Sequence, residues 1–421
     1  MIGEDDHDRG WSRRSFLKGA LGGAAAAAAA NLVPAGLSDA RGAGNNIATR
    51  DGTHSIPLLG RHQAGIATPP QSAAAFLSFD ITAGDRRELA DLFRALTERA
   101  AFLTKGGTPP PREHRHLFGA TVLPDDLTVT VALGASLFDD RYGLARQKPA
   151  QLETMRSFAH DDLQAKITHG DLLVQLCANH RDTVGNAMLD IVNQTRGGMR
   201  LRWRMDAFRF PPRPVGIPRD WMGFKDGIAN PDTTDTAQMN QVVWVQRGAP
   251  EPAWTAGGTY QVLRIIRMHL EKWDELPVAQ QENVFGRRKI SGAPLYATDP
   301  SASDELDPIY TNDPQGRLTP LNCHIRLANP QTPGTAATST ILRRSFQYDA
   351  SPDEGGSPNI GHTFCCFQRE LTTYIAMQTR LEKERLVPYI TPIGGGYFFA
   401  VPGLHDAQDY YASGLLRGLP D

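Results

Sequence analysis

Three residues in this chain carry side chains suited to chemistry in surroundings that packing alone does not explain. Asp226 stands in WMGFKDGIANP between Gly223 and Gly227, His324 in LNCHIRLANP, and Arg343 in STILRRSFQYD. An Asp beside glycine ordinarily shapes a turn, and a single His in a loop ordinarily has a structural role. A carboxylate can also shuttle a proton, provided that it is ionised when the substrate arrives. Burial raises the pKa of an Asp and a nearby Arg lowers it, so a carboxylate beside an arginine is a tunable pair. Of the 12 histidines, His114 and His116 in PREHRHLFG could form a metal pair, although no further ligand fixes that geometry. The motifs HExxH, GxSxG and GxxxxGKS/T are absent, which removes the signatures of zincins, serine hydrolases and P-loop enzymes.

Composition narrows the partner. A chain of 421 residues has room for two ordinary domains. Its formal net charge of -2 gives no general basic surface, which argues against nucleic acid or anionic lipid and for a small molecule. The 4 cysteines, Cys177, Cys323, Cys365 and Cys366, form no CxxC pair and no CxxCH. Neither a structural zinc nor a covalently attached c-type haem is therefore indicated, and free thiols packed as small core residues are expected. Near the N-terminus, Arg13 and Arg14 precede Phe16, Leu17 and an Ala-rich run, with Ser38, Asp39 and Ala40 supplying a small-x-small cleavage pattern. This reads as a twin-arginine export signal over residues 1–40, with a periplasmic or extracellular destination. The apolar run over 19–33 is about 15 residues, short of the roughly 20 that a bilayer span needs, so no stable membrane span is expected.

Periodicity supplies the frame that must position these residues. After a lead-in loop over 41–70, AAAFLSFDI reads as a strand, and GDRRELADLFRALTERAAFL as a helix with Leu89, Leu92, Phe93, Leu96 and Leu103 on one face. LTVTVALG and DLLVQLCA read as strands, DTVGNAMLDIVNQTR as a helix and MRLRWRMDAFRF as a strand. Beyond the Pro-rich linker FPPRPVGIPRD the order recurs. GGTYQVLRIIRMHL is a strand, LPVAQQENVFG a short helix, STILRRSFQYD and GHTFCCF strands, then comes a long helix from Phe367 through Leu381, and GGYFFAVPG is the closing strand. A β-α-β-β-α-β order twice over predicts an α+β protein of two ferredoxin-like domains, over 71–215 and 216–421, each with a four-stranded antiparallel sheet. Residues 286–339 show no periodicity, and loops of such length in compact domains are usually functional or disordered.

Taken in order, GRHQAGIATPPQ, GFKDG, HIRLANP, ILRRS, FQREL and GGGYFFAVPG resemble the dye-decolorising peroxidases, a haem peroxidase family, and within it the exported class associated with iron uptake. The resemblance runs from about residue 55 to the end. It implies one non-covalent haem b in the C-terminal half of a two-domain, barrel-like α+β fold. By the same resemblance His324 would be the proximal ligand of the haem iron, Asp226 the distal acid-base residue and Arg343 the distal cation. Gly227, Ile228 and Ala229, with Asn329, Pro330 and Gln331, would line the haem. RRSF replaces the family's usual Gly-Tyr after the paired arginines, which leaves Arg344 as an alternative; Arg343 is taken because it directly follows Ile341 and Leu342.

The implied activity is reduction of hydrogen peroxide with one-electron oxidation of dyes, phenolics or another small-molecule donor. Peroxide must lose a proton on binding and regain one on its outer oxygen as the O–O bond breaks. Asp226 would carry that proton, and Arg343 would stabilise charge on the departing oxygen. His324 would be a better electron donor to the iron with its other nitrogen bonded to a carboxylate, which spacing does not identify. Trp221, Trp273 and Tyr397 are candidates for relaying electrons from bulky donors, against a packing role for each. A second reading is a haem or iron carrier with incidental peroxidase activity and iron-uptake components as partners. A third is a cofactor-free ferredoxin-like binding module. An antiparallel sheet protein of this kind also allows a homo-oligomer.

Overall fold

The computed structural model describes residues 51–109, 120–213, 216–299, 302–304, 306–352 and 355–417. The export signal over 1–40 and the pair His114 and His116 lie outside these residues. The first half runs β1 (Ala73–Ile81), α1 (Arg86–Lys105), β2 (Thr128–Gly134), β3 (Leu172–Ala178), α2 (Arg181–Gln194) and β4 (Met199–Phe208). The second runs α3 (Thr236–Val242), β5 (Thr259–Met268), α4 (Leu270–Asp274), α5 (Val278–Phe285), α6 (His324–Ala328), β6 (Leu342–Arg343), β7 (Phe346–Ala350), β8 (Asn359–Gln368), α7 (Leu371–Leu381), β9 (Ile390–Ala400) and α8 (Ser413–Leu416).

Local physics explains the long elements. Asp85 caps α1 by accepting from the Glu88 N–H at 2.8 Å, and the five apolar residues read from the sequence are all buried. On β1, Ala73, Ala75, Leu77, Phe79 and Ile81 face the core beneath α1 and α2, while Ala74 and Phe76 face a second core with Phe346, Phe367 and Phe398.

Both halves share one spatial order of antiparallel strands, β2-β3-β1-β4 in the first and β7-β8-β5-β9 in the second. This is the ferredoxin-like α+β arrangement. The four-stranded sheets expected of each half are not separate. β2 pairs with β9 through Ala132, Leu133 and Gly134, and β4 meets β7 through Phe208 and Gln347, giving one nine-stranded sheet in which β5 also pairs with β8. An open strand edge leaves N–H and C=O groups unpaired, and joining edge to edge removes that liability.

Three local expectations are corrected. STILRRSFQYD is not one strand but β6 and β7, broken at Arg344 and Ser345. Arg344 is buried, and its guanidinium reaches the Thr68 carbonyl and the Gln71 side chain, which turns the backbone there. The helix expected from Phe367 begins at Leu371, because Phe367 belongs to β8, where it pairs with Gln261 and is fully buried. The stretch over 286–339 contains α6, whose five residues are too few to show a helical period. All four cysteines are free and buried. Among the described residues no helix is long and apolar enough to cross a membrane.

Candidate active site

The stretch around Asp226 is a tight turn in which a different carboxylate does the shaping. Asp220 Oδ1 accepts from the Phe224 N–H at 2.9 Å, and burial pushes the Asp220 carboxyl up to about 7, against the backbone N–H groups that bond it. Asp226 is left with its own N–H donating to the Pro218 carbonyl (3.0 Å) and its side chain free for other partners. Gly227 has φ +111, a region that glycine tolerates, and a Cβ there would meet only Asn230 Nδ2 at 3.9 Å, so space is open in front of it. Asn230 then joins this turn to β6: Nδ2 donates to the Arg343 carbonyl (2.8 Å) and Oδ1 accepts from the Arg343 N–H (2.9 Å).

That clamp brings Arg343 Nη1 to 3.1 Å from Asp226 Oδ1. Strand alternation sends Arg344 the other way, into the core, so only one of the paired arginines faces the carboxylate. His362, on β8, adds Nε2 at 3.8 Å from Asp226 Oδ2. Burial alone would raise the Asp226 carboxyl, but the charges of Arg343, His362, Arg209 and His324 outweigh it and hold the group below its ordinary value. Arg209 stands just past β4, and burial lowers its own guanidinium to about 10. Asp226 and Arg343 each keep 24% of their side-chain surface accessible, so packing does not close off the pair.

His324 opens α6. Its Nδ1 lies 2.6 Å from Glu384 Oε2, whose side chain is 5% exposed. The carboxylate can only accept, so Nδ1 carries the hydrogen, and Nε2 presents a lone pair whenever the ring is neutral. Phe285 meets the ring edge-on at 5.9 Å, backed by Trp273. Arg380 of α7 fixes the far end of α6 by donating to the Leu327 and Ala328 carbonyls, each at 2.8 Å. Beyond it, Asn329 Oδ1 accepts from the Gln331 N–H (3.1 Å), with Gln331 at φ +56.

Sequence reasoning missed Glu384 and His362. Glu384 is 60 residues from its partner in LEKERL and has no spacing signal; His362 sits in GHTFCCF, which reads only as a strand. The three aromatic candidates for electron relay are packed: Trp221 against Phe208 and Phe210, Trp273 at 1% exposure, and Tyr397 beside Tyr374, its buried hydroxyl without a partner among the described residues.

The residues present suit a haem. An imidazole with Nδ1 anchored on a carboxylate and Nε2 free is the donor set of an axial ligand. Asp226, Arg343, His362 and His324 lie close enough to act on one another electrostatically. Arg343, His362 and Phe364 are the partly accessible positions on strands whose neighbouring residues are buried. Gly227, Ile228, Ala229, Asn329, Pro330 and Gln331 all keep accessible surface. Two other hollows, of about 400 and 490 Å³, lie elsewhere: one against Asp125 and His180, the other against His62 and Trp244.

Comparison with known proteins reaches the same class. Residues 63–209 match the Dyp-type peroxidase N-terminal family model and residues 217–405 the C-terminal one. The chain belongs to the Dyp-type peroxidases and is a haem-dependent oxidoreductase that takes peroxide and a reductant as substrates. It is 44% identical over 374 residues to the deferrochelatase of Escherichia coli strain K12, spanning 86% of this chain and 87% of that protein. Ferric DtpA from Streptomyces lividans superposes with a TM-score of 0.79 at 32% identity, over 87% of this chain and 98% of its own. The Dyp-type peroxidase from Cellulomonas bogoriensis gives 0.77 at 33% identity, over 87% and 99%.

Proposed function

We propose that Asp226, Arg343 and His324 are the working residues of this peroxidase, with hydrogen peroxide reduced over Asp226 and a dye, phenolic or other small donor supplying electrons singly. The observation that carries the reading is the 3.1 Å contact of Arg343 with Asp226, within electrostatic reach of a histidine whose Nδ1 is held by Glu384. Haem b would be held by His324 Nε2 and would supply the redox centre. Asp226, kept ionised by its cationic neighbours, takes the peroxide proton and returns it to the outer oxygen. Arg343 stabilises negative charge on that oxygen as it leaves. Gly227, Ile228 and Ala229, with Asn329, Pro330 and Gln331, would line the haem. The same proposal includes export by the twin-arginine route from residues 1–40, and halves divided at 215/216, a boundary supported by family matches that stop at 209 and resume at 217.

One absorption spectrum of the purified protein, before and after peroxide, tests the reading. A haem band that responds to peroxide is expected in the wild type. His324→Ala should lose haem, and an unchanged spectrum would sink the ligand assignment. Asp226→Asn should keep haem but react with peroxide about 10²–10⁴-fold more slowly, and a wild-type rate would demote Asp226 to a turn residue. The name deferrochelatase borne by the curated relatives favours a second reading, a haem- or iron-handling protein that works with iron-uptake components. Release of iron or haem to an acceptor faster than peroxide turnover would select it.

A further inference from the structure

We propose that His362 is a positioning residue for Asp226: it takes up the proton that would otherwise neutralise that carboxylate, and so keeps Asp226 a working base in more acid solution. This rests on the reading of Asp226 as the peroxide base. The two oxygens of Asp226 face different partners, Oδ1 the Arg343 guanidinium at 3.1 Å and Oδ2 the His362 Nε2 at 3.8 Å. The second distance is too long for a hydrogen bond but within reach of a charge pair. The His362 side chain is 12% exposed, so screening by solvent is weak.

The other ring nitrogen shows why the imidazole can change charge in a buried place. His362 Nδ1 is 3.0 Å from Gln347 Nε2 across the β7–β8 ladder, while Gln347 Oε1 is buried with no hydrogen-bond partner among the described residues. A glutamine amide can offer its N–H to a bare Nδ1 or, turned over, its oxygen to a protonated one. Protonating the ring therefore gives the orphaned oxygen a donor. Neutral and charged imidazole are both accommodated, and only the charged form carries protons on both nitrogens.

The order of proton uptake follows from intrinsic basicity and surroundings. An imidazole ordinarily holds a proton about 2.5 pH units above an Asp carboxyl. Burial holds His362 below its ordinary value; the Asp226 carboxylate works against that, and Arg343 and His324 lower the ring further. The groups acting on the ring are thus Asp226 from its turn, Arg343 from β6 and His324 from α6, while its cross-strand partners on β5 and β7, Ile266 and Gln347, are uncharged. Arg343 pulls the Asp226 carboxyl down more than any other charge does, so both members lie below their ordinary values and the imidazole keeps its intrinsic advantage in basicity. The step is proton transfer alone: Nδ1, bare in the neutral ring, gains a proton from solvent as the Gln347 amide turns over, and nothing is oxidised or reduced.

The test uses the haem-loaded protein, with two readouts followed against pH: the rate of reaction with peroxide, and the association of cyanide, which arrives as HCN and must give its proton to a base. In His362→Leu and His362→Gln the acid limb of both profiles should move up by about one pH unit or more. A purely structural role predicts that His362→Gln, which keeps a polar partner for Gln347, restores the wild-type limb. That result, or unshifted limbs in both variants, overturns the proposal. Should neither variant retain haem, Gln347→Leu serves instead: without an acceptor for Nδ1–H the charged ring is disfavoured and the limb must again rise, an unshifted limb being the refutation. A wild type that binds no haem would instead overturn the peroxidase site itself.

Discussion

Glu384→Gln isolates the carboxylate behind His324, the proposed haem ligand, without changing side-chain size. Glu384 Oε2 lies 2.6 Å from His324 Nδ1 and its side chain is 5% exposed, so a short, charge-assisted bond is lost from a place where solvent screens little. Hydrogen bonds to charged groups are worth about 1.5–3 kcal/mol net. Outer partners of a metal ligand typically contribute about 10–100-fold in affinity, which is about 1.4–2.7 kcal/mol at 1.36 kcal/mol per decade. The two routes agree, so haem affinity should fall about 10–100-fold. The glutamine leaves His324 a less electron-rich ligand, and the reduction potential of the haem should rise with it. Haem transfer to excess apomyoglobin reads the first effect and spectroelectrochemistry the second. A variant with wild-type haem transfer and wild-type potential would refute the reasoning, because it would mean that Glu384 only packs beside the ring.

The paired arginines should separate by phenotype. Arg343→Leu removes the largest charge holding Asp226 down, so its acid limb should rise by about 1–3 pH units while thermal stability changes little. Arg344→Leu leaves the Thr68 carbonyl and the Gln71 side chain without their buried donor, costing about 1–3 kcal/mol in denaturant melts with the peroxide rate retained. Exchanged phenotypes would show that the other arginine faces the cavity. Asp220 gives a pH-dependent stability signal: its folded-state value of about 7 exceeds the unfolded one, so the folded protein holds a proton that the unfolded chain has released. Stability should therefore fall as pH rises through that window, and Asp220→Asn should flatten the slope of melting midpoint against pH.

The sequence alone determined whatever depends on neighbours in the chain. Apolar residues at helical spacing gave α1 and α2, alternation and apolar runs gave the strands, and their repeated order gave the ferredoxin-like halves. Short motifs such as GFKDG and HIRLANP carried the family, because each is a local backbone solution whose residues are adjacent. Contacts between distant residues were decided only by the tertiary structure. Which of Arg343 and Arg344 faces Asp226 depends on the phase of a period of two, and two identical side chains in succession carry no mark of which face is inside. Glu384 and His362 acquire their roles only when α7 packs on α6 and β8 is laid beside β6 and β7, since nothing near them in the chain reports that approach. The joining of the two sheets has the same cause: β2, β4, β7 and β9 read alike as paired or open edges until the other half supplies a strand. Even the turn around Asp226 is divided this way. Its glycines and the Asp220 bonds are local, while the partner that makes Asp226 useful comes from 117 residues further along.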